Sequence, residues 1–519
     1  LARLTVTEIE AALWHGTMQE HANGLTRPER LAIARLLGRP DQPPPDRSAG
    51  VRACDAAPPA HPAQPPATAP VAGDWPGWSR NNGFARHVAD TALSAARFAG
   101  LTLAWAHPFP EHAAFSGAGN ALAVRDGTVY TGNLNHWVYA LDAARGCARW
   151  TFRAEGRVRS NVALEGDTLV FGDLLANVYA LDAASGRLQW RTRIDWAPGA
   201  RITGNLTIDD GVVYAPVSSL EEVLAMRLDL PCCSFRGAVV ALDAATGAVR
   251  WKTWTVEQYA EYLGDNDMGV ARFGPSGVPV WSGISVDRKR GVVYVGNGNQ
   301  FTEPRVDESD AVMALDIASG AKRWVRSLAP AQMDGADIYH LACEAWWDPE
   351  RKNCSPQNPQ GQGDRDLGAP PLLVTRADGR DIIVAGTKDG MLYALDPDAG
   401  GAVLWELRVG RGGEIGGIEY GIAADGRYAY APVSDIDIDL VSRGSLTAVD
   451  LVTGKPAWRV ENIAARCAGK TTPPCGNAVL TPPTVAGEVV LVGLLDGTLR
   501  GYRTRDGAEV LVRDTAQDF

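Results

Sequence analysis

One motif returns along the chain and constrains the fold more than any other feature. Each copy has an apolar strand ending in Ala-Leu-Asp or a close variant, a turn closed by Gly, and a second strand that begins near a Trp. Seven copies, the last of them degenerate, begin at positions 138, 178, 239, 312, 392, 446 and 499. Repeats of about 40 residues or more, made of short alternating strands, are typical of β-propeller blades with loop insertions.

Each part of the motif has a structural role. Alternating apolar residues form a buried strand, Asp and Gly close the turn, and the Trp ring docks against the next blade. A hairpin such as NVALEGDTLVFGD (161–173) precedes each copy, so each blade has four strands. The segment LTLAWAHPF (101–109) offers one more outer strand, with Trp105. If it completes the blade of the C-terminal copy, the ring closes without a free edge. We therefore predict an all-β, eight-bladed propeller over residues 75–519.

Two smaller regions precede the predicted propeller. Residues 1–39 contain two helical patterns around GTM, and Thr26 with Glu29 forms a capping box for the second helix. Residues 40–74 are rich in Pro and Ala, as expected of a semi-rigid tether. The chain begins at Leu1 without an initiator Met or a signal peptide, so we expect a mature or incomplete chain.

Charge and cysteine content limit the partners and the compartment. A net charge of -11 and a pI near 5.3 argue against nucleic acid, and no apolar run approaches the roughly 18 residues of a membrane span. None of the eight cysteines has the paired spacing of a zinc site. Local disulfides, which favour an oxidising periplasm, are the preferred interpretation of three pairs. These pairs are Cys343 with Cys354, Cys467 with Cys475, and the adjacent Cys232 and Cys233, while Cys54 and Cys147 have no obvious local partner.

Unusual residues collect on one face of the predicted ring. The loops between second and third strands, and the connections between blades, lie opposite the monotonous tight turns. Side chains from several blades therefore converge at one mouth of the channel, as a ligand site requires. Glu221 and Asn299, in such loops of successive blades, offer oxygen ligands suited to calcium. The alternatives are a solvated loop acid for Glu221 and a turn-forming role for Asn299.

The repeat resembles the tryptophan-docking motif of pyrroloquinoline quinone (PQQ) dehydrogenases. Outer-membrane assembly scaffolds use similar blades without a cofactor. The repeat alone therefore does not distinguish a dehydrogenase from a scaffold, and the residues of the loops must be compared. In quinoprotein alcohol dehydrogenases a Glu of a Ser-x-x-Glu loop and the Asn of a Gly-x-Gly-Asn loop bind calcium, which the resemblance assigns to Glu221 and Asn299. The family also carries an Asp after the Asn loop that takes the alcohol proton. This implies Asp310, with Asp307 as the alternative, unless Asp310 caps a strand or pairs with Arg305.

The same resemblance implies how PQQ is held. Lys388 in TKDG matches the cation that contacts the quinone oxygens, and Arg159 in GRVRSN matches an Arg near a PQQ carboxylate. PQQ is an anion, so at least two fixed positive charges are expected. Thr203 in RITG matches a hydroxyl that binds PQQ, and Trp281 in VPVWSG matches the ring that stacks on it. A generic core Trp is the alternative for Trp281.

Some departures narrow the resemblance to one branch. The family has adjacent, disulfide-bonded cysteines beside the Arg that Arg159 matches, but no cysteine flanks Arg159 here. The adjacent Cys232 and Cys233 follow Glu221 instead, where they line the substrate entrance or, as we favour, stiffen the loop. Pro279 stands where a cofactor-contacting Thr is usual. The motifs SSLEE, PCCSFRG, GPSGVPVWSG, GNGNQFTEP, SDAVMALD and GGIEYG look like the polyvinyl alcohol dehydrogenase branch. That branch joins a cytochrome c domain to the propeller and oxidises secondary alcohols.

Residues 1–39 then resemble the C-terminal half of a class I cytochrome c, with Met18 as the axial ligand. A plain helical hairpin is the alternative. Haem c can attach only if upstream sequence supplies Cys-x-x-Cys-His, which this chain lacks.

Together these features predict a periplasmic, PQQ- and calcium-dependent dehydrogenase. Its substrate would be a secondary or polymeric alcohol, and its electrons would pass to cytochrome c. The alternative is a propeller scaffold that binds proteins and no cofactor, but a scaffold has no reason to place these site residues on one face. If proton abstraction does not belong to Asp310 or Asp307, Glu419 in GGIEYG is the next candidate.

Overall fold

The computed structural model divides the chain into two compact units. The larger, called the propeller unit below, comprises Ala53–His107 and His112–Phe519, and the smaller comprises Leu1–Arg52 and Pro108–Glu111. The structure describes residues 30, 33, 52–55, 73–89, 91, 93–107, 109, 121–197, 199–225, 229–266, 268–328, 365–413, 416–436, 441–461, 463–467 and 475–515. In the smaller unit, Arg30 and Ile33 are helical. The rest of the predicted helical segment 1–39, Met18 and most of the linker 40–74 lie outside the described residues.

The propeller unit contains seven sheets of four antiparallel blade strands, which follow one another along the chain. Two of these sheets gain a fifth short strand, His87–Val88 in one and Ala200–Arg201 in the other. A short strand β1 (His87–Val88) and helix α1 (Ala95–Ala99) precede them. Blade 1 has β2 (Ala123–Arg125), β3 (Thr128–Gly132), β4 (Trp137–Asp142) and β5 (Ala148–Arg153). Blade 2 has β6 (Val162–Glu165), β7 (Thr168–Gly172), β8 (Asn177–Asp182) and β9 (Leu188–Arg193).

Blades 3 and 4 carry insertions. The strand β10 (Ala200–Arg201) precedes blade 3, which has β11 (Thr207–Asp209), β12 (Val212–Ser219), helix α2 (Glu221–Ala225), β13 (Ala238–Asp243) and β14 (Val249–Trp254). A hairpin follows, made of β15 (Glu261–Asp265) and β16 (Ala271–Gly274), and β17 (Ser276–Gly277) comes next. Blade 4 has β18 (Ile284–Asp287), β19 (Val292–Gly296), β21 (Ala311–Asp316) and β22 (Lys322–Ser327), while β20 (Gln300–Thr302) pairs with β17.

The remaining blades are more regular. Blade 5 has β23 (Leu372–Thr375), β24 (Asp381–Gly386), β25 (Met391–Asp396), a 3-10 turn (Pro397–Ala399) and β26 (Ala402–Arg408). Blade 6 has β27 (Ala423–Ala424), β28 (Tyr428–Val433), β29 (Ser445–Asp450) and β30 (Pro456–Val460). Blade 7 has β31 (Thr484–Ala486), β32 (Val489–Gly493), β33 (Thr498–Arg503) and β34 (Glu509–Asp514), with β1 added parallel to β31.

The repeated Trp joins each blade to the next, which confirms the predicted propeller architecture. In blade 1, Trp150 pairs with Ala140 in register, and its indole Nε1 donates to the carbonyl of Ala183 in blade 2 over 2.9 Å. The ring lies over Gly186, where a Cβ would come within 2.6 Å of it. Gly186 has φ +71°, so the turn requires a residue without a side chain for both reasons. The equivalent bond to the next blade is made by Trp190, Trp251, Trp405 and Trp458.

The prediction of eight blades is wrong, because the described residues form seven. The C-terminal copy already has its own outer strand, β34, in which Leu511 pairs with Gly501. Residues 101–107 form no strand. They still bridge the ends of the ring: Arg513 of β34 donates to the carbonyl of Leu101, and the Trp105 indole donates to Ala143 of blade 1 over 2.8 Å. Trp105 thus docks like the other repeat Trp residues, but without a fourth-strand partner.

One short segment spans the innermost strands of the blades at one end of the ring. Residues 75–86 hydrogen-bond the innermost strand of every blade in turn, near the tight turns. The backbone partners are Val124, Leu164, Val286, Leu373, Ala424 and Val485, and the Asn82 side chain bonds to Ile208 and Asp209 of blade 3. The face with the long loops lies at the other end of these strands, where the predicted site residues collect.

Three disulfides are present among the described residues. Cys467–Cys475 and Cys232–Cys233 confirm two predicted local pairs, and Cys54 pairs with Cys147 across 93 positions. The predicted pair of Cys343 and Cys354 lies outside the described residues. No described helix combines the length and apolarity that crossing a membrane would require.

Candidate functional site

Three predicted site residues meet at a carboxylate that the sequence did not single out. Asp366 is 2% exposed and lies in the connection before β23. Its Oδ2 accepts a hydrogen bond from the Trp281 indole Nε1 over 3.0 Å, and its Oδ1 accepts the Asn299 N–H over 2.5 Å. Its carbonyl accepts the Lys388 N–H over 3.1 Å. The loops of blades 4 and 5 therefore share one buried centre.

The Trp281 ring is held by contacts at its edge. A Cβ at Gly298 would lie 3.0 Å from its Nε1, and a Cβ at Gly368 would lie 2.4 Å from its far ring edge. A larger residue at either position would displace the ring. The Lys388 Nζ lies 5.8 Å from the ring centroid, and Lys388 is itself buried. The structure thus brings a planar ring and a buried cation together on this face.

The Thr203 hydroxyl lies in the connection that opens blade 3, beside the loop that carries Trp281. Its Oγ1 is 2.7 Å from the Ser218 Oγ. Two residues further on, the Asn205 N–H donates to the carbonyl of Ser282 over 2.8 Å. This bond joins the connection that opens blade 3 to the one that opens blade 4. Thr203 and Trp281 are therefore on neighbouring segments of the same face.

The two predicted base candidates have opposite environments. Asp310 is fully buried, its Oδ2 accepts from the Ser309 hydroxyl over 3.0 Å, and its N–H donates to the carbonyl of Gly298 over 3.4 Å. It therefore lies behind the loop that carries Asn299. Asp307 is exposed. Of the two aspartates, only Asp310 is buried beneath the loops of the face that carries the site.

The Glu221 carboxylate holds the loop that carries the adjacent cysteines. It accepts the N–H of Ser234 over 3.0 Å and the N–H of Phe235 over 2.6 Å. Burial nevertheless raises the pKa of Glu221, against the lowering effect of these bonds. The Glu221 carboxylate and the two Sγ atoms lie within 4.8 Å of one another, but both sulfurs belong to the disulfide and are not thiolate ligands.

Aromatic stacking joins this loop to the one that carries Asn299. The Phe235 and Phe301 rings stack with centroids 6.3 Å apart, and Phe301 is two residues from Asn299. The structure therefore puts Glu221 and Asn299 in adjoining loops, with no direct bond between their side chains among those described.

A group of cations lies across the blades beside this centre. Burial, together with the charge of the nearby Arg159, lowers the pKa of Arg201 to about 10. Burial raises the pKa of Tyr420, the neighbouring Glu419 carboxylate raises it again, and the charges of Arg159 and Lys388 oppose the rise. The ion pairs of the described residues include no carboxylate partner for Arg159 or Arg201. Arg159, Arg201 and Lys388 thus bring positive charge to this mouth, where the Glu419 carboxylate also lies.

The sequence interpretation missed Asp366 and Arg201. Arg201 lies two residues before Thr203 in RITG, and its proximity to a predicted hydroxyl was the available signal. Asp366 stands in DRDLGAPP, outside every repeat copy, and nothing local distinguishes it from other loop acids. Both residues are defined by contacts with distant segments.

These residues fit an anionic planar quinone with a hard cation. The Trp281 ring offers a stacking face, and the buried charge on Arg201 beside Arg159 suits a ligand with several carboxylates. Asn299, Asp366 and Glu221 offer oxygen atoms, which are the ligands that calcium prefers. The fold and this donor set define the class of quinoprotein propeller dehydrogenases.

Comparison with known proteins gives the family. Residues 226–334 match the sequence profile described as glucose/ethanol/alcohol dehydrogenase, beta-propeller domain, and residues 92–269 and 388–517 match the one described as outer membrane protein assembly factor BamB. The chain is 35% identical to the polyvinylalcohol dehydrogenase of Sphingopyxis sp. (strain 113P3), over 99% of this chain and 79% of that protein. It is 34% identical to that of Pseudomonas sp., over 99% and 80%. The chain therefore belongs to the PQQ-dependent alcohol dehydrogenase family, and within it to the polyvinyl alcohol dehydrogenase branch.

Solved structures support the fold. Quinohemoprotein alcohol dehydrogenase from Comamonas testosteroni superimposes with a TM-score of 0.61 at 18% identity, covering 85% of this chain and 73% of that one. A europium-containing methanol dehydrogenase gives 0.61 at 18% identity, covering 85% of each chain. At this level of identity the likeness concerns the fold alone.

Proposed function

We propose that this protein is a periplasmic, PQQ- and calcium-dependent dehydrogenase that oxidises a secondary or polymeric alcohol and passes the electrons to cytochrome c. The observation that carries the proposal is the buried centre where Trp281, Asn299 and Lys388 meet around Asp366. The two polyvinylalcohol dehydrogenases support the choice of a polymeric alcohol, because they align with nearly the whole chain.

The chain's own residues bind and orient the cofactor. Arg159, Arg201 and Lys388 would pair with its carboxylates and quinone oxygens, Trp281 would stack on its plane, and the Thr203 hydroxyl would bond to its edge. When bound beside calcium, PQQ would supply the hydride-accepting chemistry that an alcohol oxidation needs. The protein must then place the alcohol and remove its hydroxyl proton.

Two buried aspartates compete for the role of base, and we favour Asp366. Its carboxylate touches both the Trp281 ring edge and the backbone of Asn299, so it lies where the ring and the metal ligand meet. Asp310, which the resemblance indicated, lies behind Gly298 and accepts a bond from Ser309. It remains the second candidate, followed by Glu419. A base must come within hydrogen-bond reach of the proton that it abstracts.

Glu221 and Asn299 are the proposed calcium ligands. Burial raises the pKa of Glu221, so its negative charge is costly in the protein alone. A nearby cation would offset that cost, because an opposite charge within a few ångströms favours the ionised carboxylate. Asn299 adds a neutral amide oxygen that needs no proton release to bind a metal.

The electron acceptor and the compartment are supported by separate observations. Three disulfides among the described residues suit an oxidising compartment such as the periplasm. Residues 1–39 resemble part of a cytochrome c, with Met18 as the proposed axial ligand. If upstream residues supply Cys-x-x-Cys-His, haem c would lie on the same polypeptide. Otherwise a separate cytochrome c would accept the electrons.

The second candidate function is a protein-binding scaffold, which the match to the BamB profile supports. One experiment distinguishes it from the enzyme. Purified protein is mixed with PQQ in the presence of calcium or of a chelator. Absorbance spectra then report binding, and cytochrome c reduction reports oxidation of isopropanol or polyvinyl alcohol. We expect a calcium-dependent change in the PQQ spectrum and alcohol-dependent reduction. A protein that binds no PQQ under either condition would support the scaffold.

A further inference from the structure

The exposed aromatic rings of the propeller unit lie in one sector. Among its described residues they are Trp196, Tyr259 and Tyr262, which are 65%, 78% and 59% exposed. Trp196 follows β9, Tyr259 follows β14, and Tyr262 lies in β15. These segments connect blade 2 to blade 3 and blade 3 to blade 4. All three rings therefore belong to the face that carries the site.

Exposed aliphatic side chains extend the same sector. Leu175 and Leu220 lie in the loops between the second and third strands of blades 2 and 3, and Met268 lies at the tip of the β15–β16 hairpin. Single exposed apolar residues are ordinary on protein surfaces. Here they share one face and one sector with every described exposed aromatic ring of the unit. We define the aromatic sector by these six residues: Leu175, Trp196, Leu220, Tyr259, Tyr262 and Met268.

Backbone bonds connect this sector to the site. The Phe273 N–H of β16 donates to the carbonyl of Cys232 over 2.9 Å, and the Cys233 N–H donates to the carbonyl of Phe273 over 3.2 Å. The hairpin thus extends the loop that Glu221 holds. On its other side, Arg272 pairs with Glu303 over 2.5 Å, just beyond the β20 strand that follows Asn299. The aromatic sector is continuous with the loops of the site.

The chemistry of the sector suits a neutral chain of carbon atoms that bears hydroxyl groups. Aromatic faces pack against aliphatic CH groups, and the Tyr259 phenol can exchange hydrogen bonds with hydroxyls. The Tyr262 phenol donates to Asp265 over 2.7 Å and can still accept a hydrogen bond from a ligand hydroxyl. Cations cover one face of two of the rings and hold them in place: the Arg193 Cζ lies over Trp196, 4.5 Å from its centroid, and the Arg236 Cζ lies over Tyr259, 4.1 Å from its centroid. The apolar groups come from separate elements.

We propose that the aromatic sector binds the part of a polymeric polyol that lies outside the site while one of its units reacts. The ligand is taken from the substrate class of the proposed function, on which this inference rests. The surface raises the affinity for the polymer without touching the reacting carbon. It should therefore act on KM for the polymer and leave a short secondary alcohol unaffected.

A kinetic comparison tests this with the PQQ- and calcium-loaded full chain and a dye as electron acceptor. Because both side chains are exposed, Trp196→Ala with Tyr262→Ala should leave folding intact. We expect KM for polyvinyl alcohol to rise by about tenfold, the effect of losing roughly 1.4 kcal/mol of binding energy. Both kcat and KM for isopropanol should stay at the wild-type values. The control is Leu188→Ala, at an exposed residue on the outer strand β9. It should leave kcat and KM unchanged for both substrates.

A binding measurement separates this inference from the proposed function. Wild-type protein should be retarded in a native gel that contains polyvinyl alcohol, and the double variant should migrate freely. If the wild-type protein oxidises isopropanol but is not retarded, the proposed polymer-binding surface is contradicted and the proposed dehydrogenase function is supported. Retardation that requires the two rings in a protein that oxidises no alcohol would support the surface and contradict the enzyme. A variant defect seen with cytochrome c as acceptor, and absent with the dye, would mark the sector as a protein-docking surface and overturn the inference.

Discussion

The Trp281 indole Nε1 donates a hydrogen bond to the Asp366 Oδ2 over 3.0 Å, although the two residues are 85 positions apart. The other carboxylate oxygen accepts the Asn299 N–H. One buried carboxylate therefore orients the ring on which a planar cofactor would stack and the loop that would hold its metal. In the proposed function, the same atoms would accept the substrate proton.

Substitution of the two buried aspartates identifies the base. Asp366→Asn keeps the size and removes the basicity, so we expect turnover to fall by about 100-fold or more. Asp310→Asn should cost less, and Asp307→Asn should be nearly silent because Asp307 is exposed. Turnover is measured at saturating alcohol after PQQ content has been matched by absorbance. If the large loss follows Asp310→Asn instead, the base is the one that the family resemblance indicated.

Neutralising Arg201 or Arg159 should weaken cofactor binding. For Arg201→Gln or Arg159→Gln we expect the Kd for PQQ to rise by roughly 10- to 100-fold, the loss of one charge-assisted hydrogen bond. Equilibrium dialysis at low and high salt is the measurement, and the wild-type affinity should fall with salt. Arg145→Gln is the control, because Arg145 is an exposed residue of a tight turn in blade 1. Equal affinities in all four proteins would contradict an anion site at this mouth.

Calcium should stabilise the protein through Glu221. Burial raises the pKa of this carboxyl above its ordinary value of 4.5, so the folded state keeps a proton that the unfolded chain has lost. The unfolding free energy therefore decreases as pH rises from the unfolded pKa through the folded pKa, and the full cost of ionisation is present above both. Calcium offsets that cost, so it should raise the Tm of wild type at neutral pH.

Two variants test this assignment by calorimetry with and without a chelator. Glu221→Gln removes the titrating group, and Asn299→Ala removes the amide oxygen. We expect both to lose most of the calcium-dependent shift in Tm. A shift as large as that of wild type in both variants would place calcium elsewhere.

Removing the Trp at the junction of blades 7 and 1 should destabilise the propeller. Trp105 covers Gly146, where a Cβ would lie 2.6 Å from the ring, and it donates to Ala143. Trp105→Ala should lower the unfolding free energy by about 3 kcal/mol, measured by denaturant titration. Leu103→Ala, at a 48% exposed side chain two residues away, should cost under about 0.5 kcal/mol. If the two variants are equally mild, the ring does not depend on this contact.

The sequence alone predicted the propeller architecture and named residues that the structure brings together, because both leave local signals. Alternating strands, Asp-Gly turns and docking Trp residues repeat within each copy, and their geometry is decided by neighbours in the chain. Trp281, Asn299 and Lys388 could be named because they stand beside recognisable positions of the repeat, and the structure brings them together. The disulfides within short loops followed from the same local spacing.

Tertiary structure alone decided the features that depend on contacts between distant segments. The sequence offered two outer strands for the last blade, and the pairing of Gly501 with Leu511 left Trp105 to dock without a strand. Cys54 found Cys147 across 93 positions, and Asp366 gained its importance from residues 67 and 85 positions away. No local pattern encodes these choices, because closing a ring brings together segments whose separation along the chain carries no information about their distance in space.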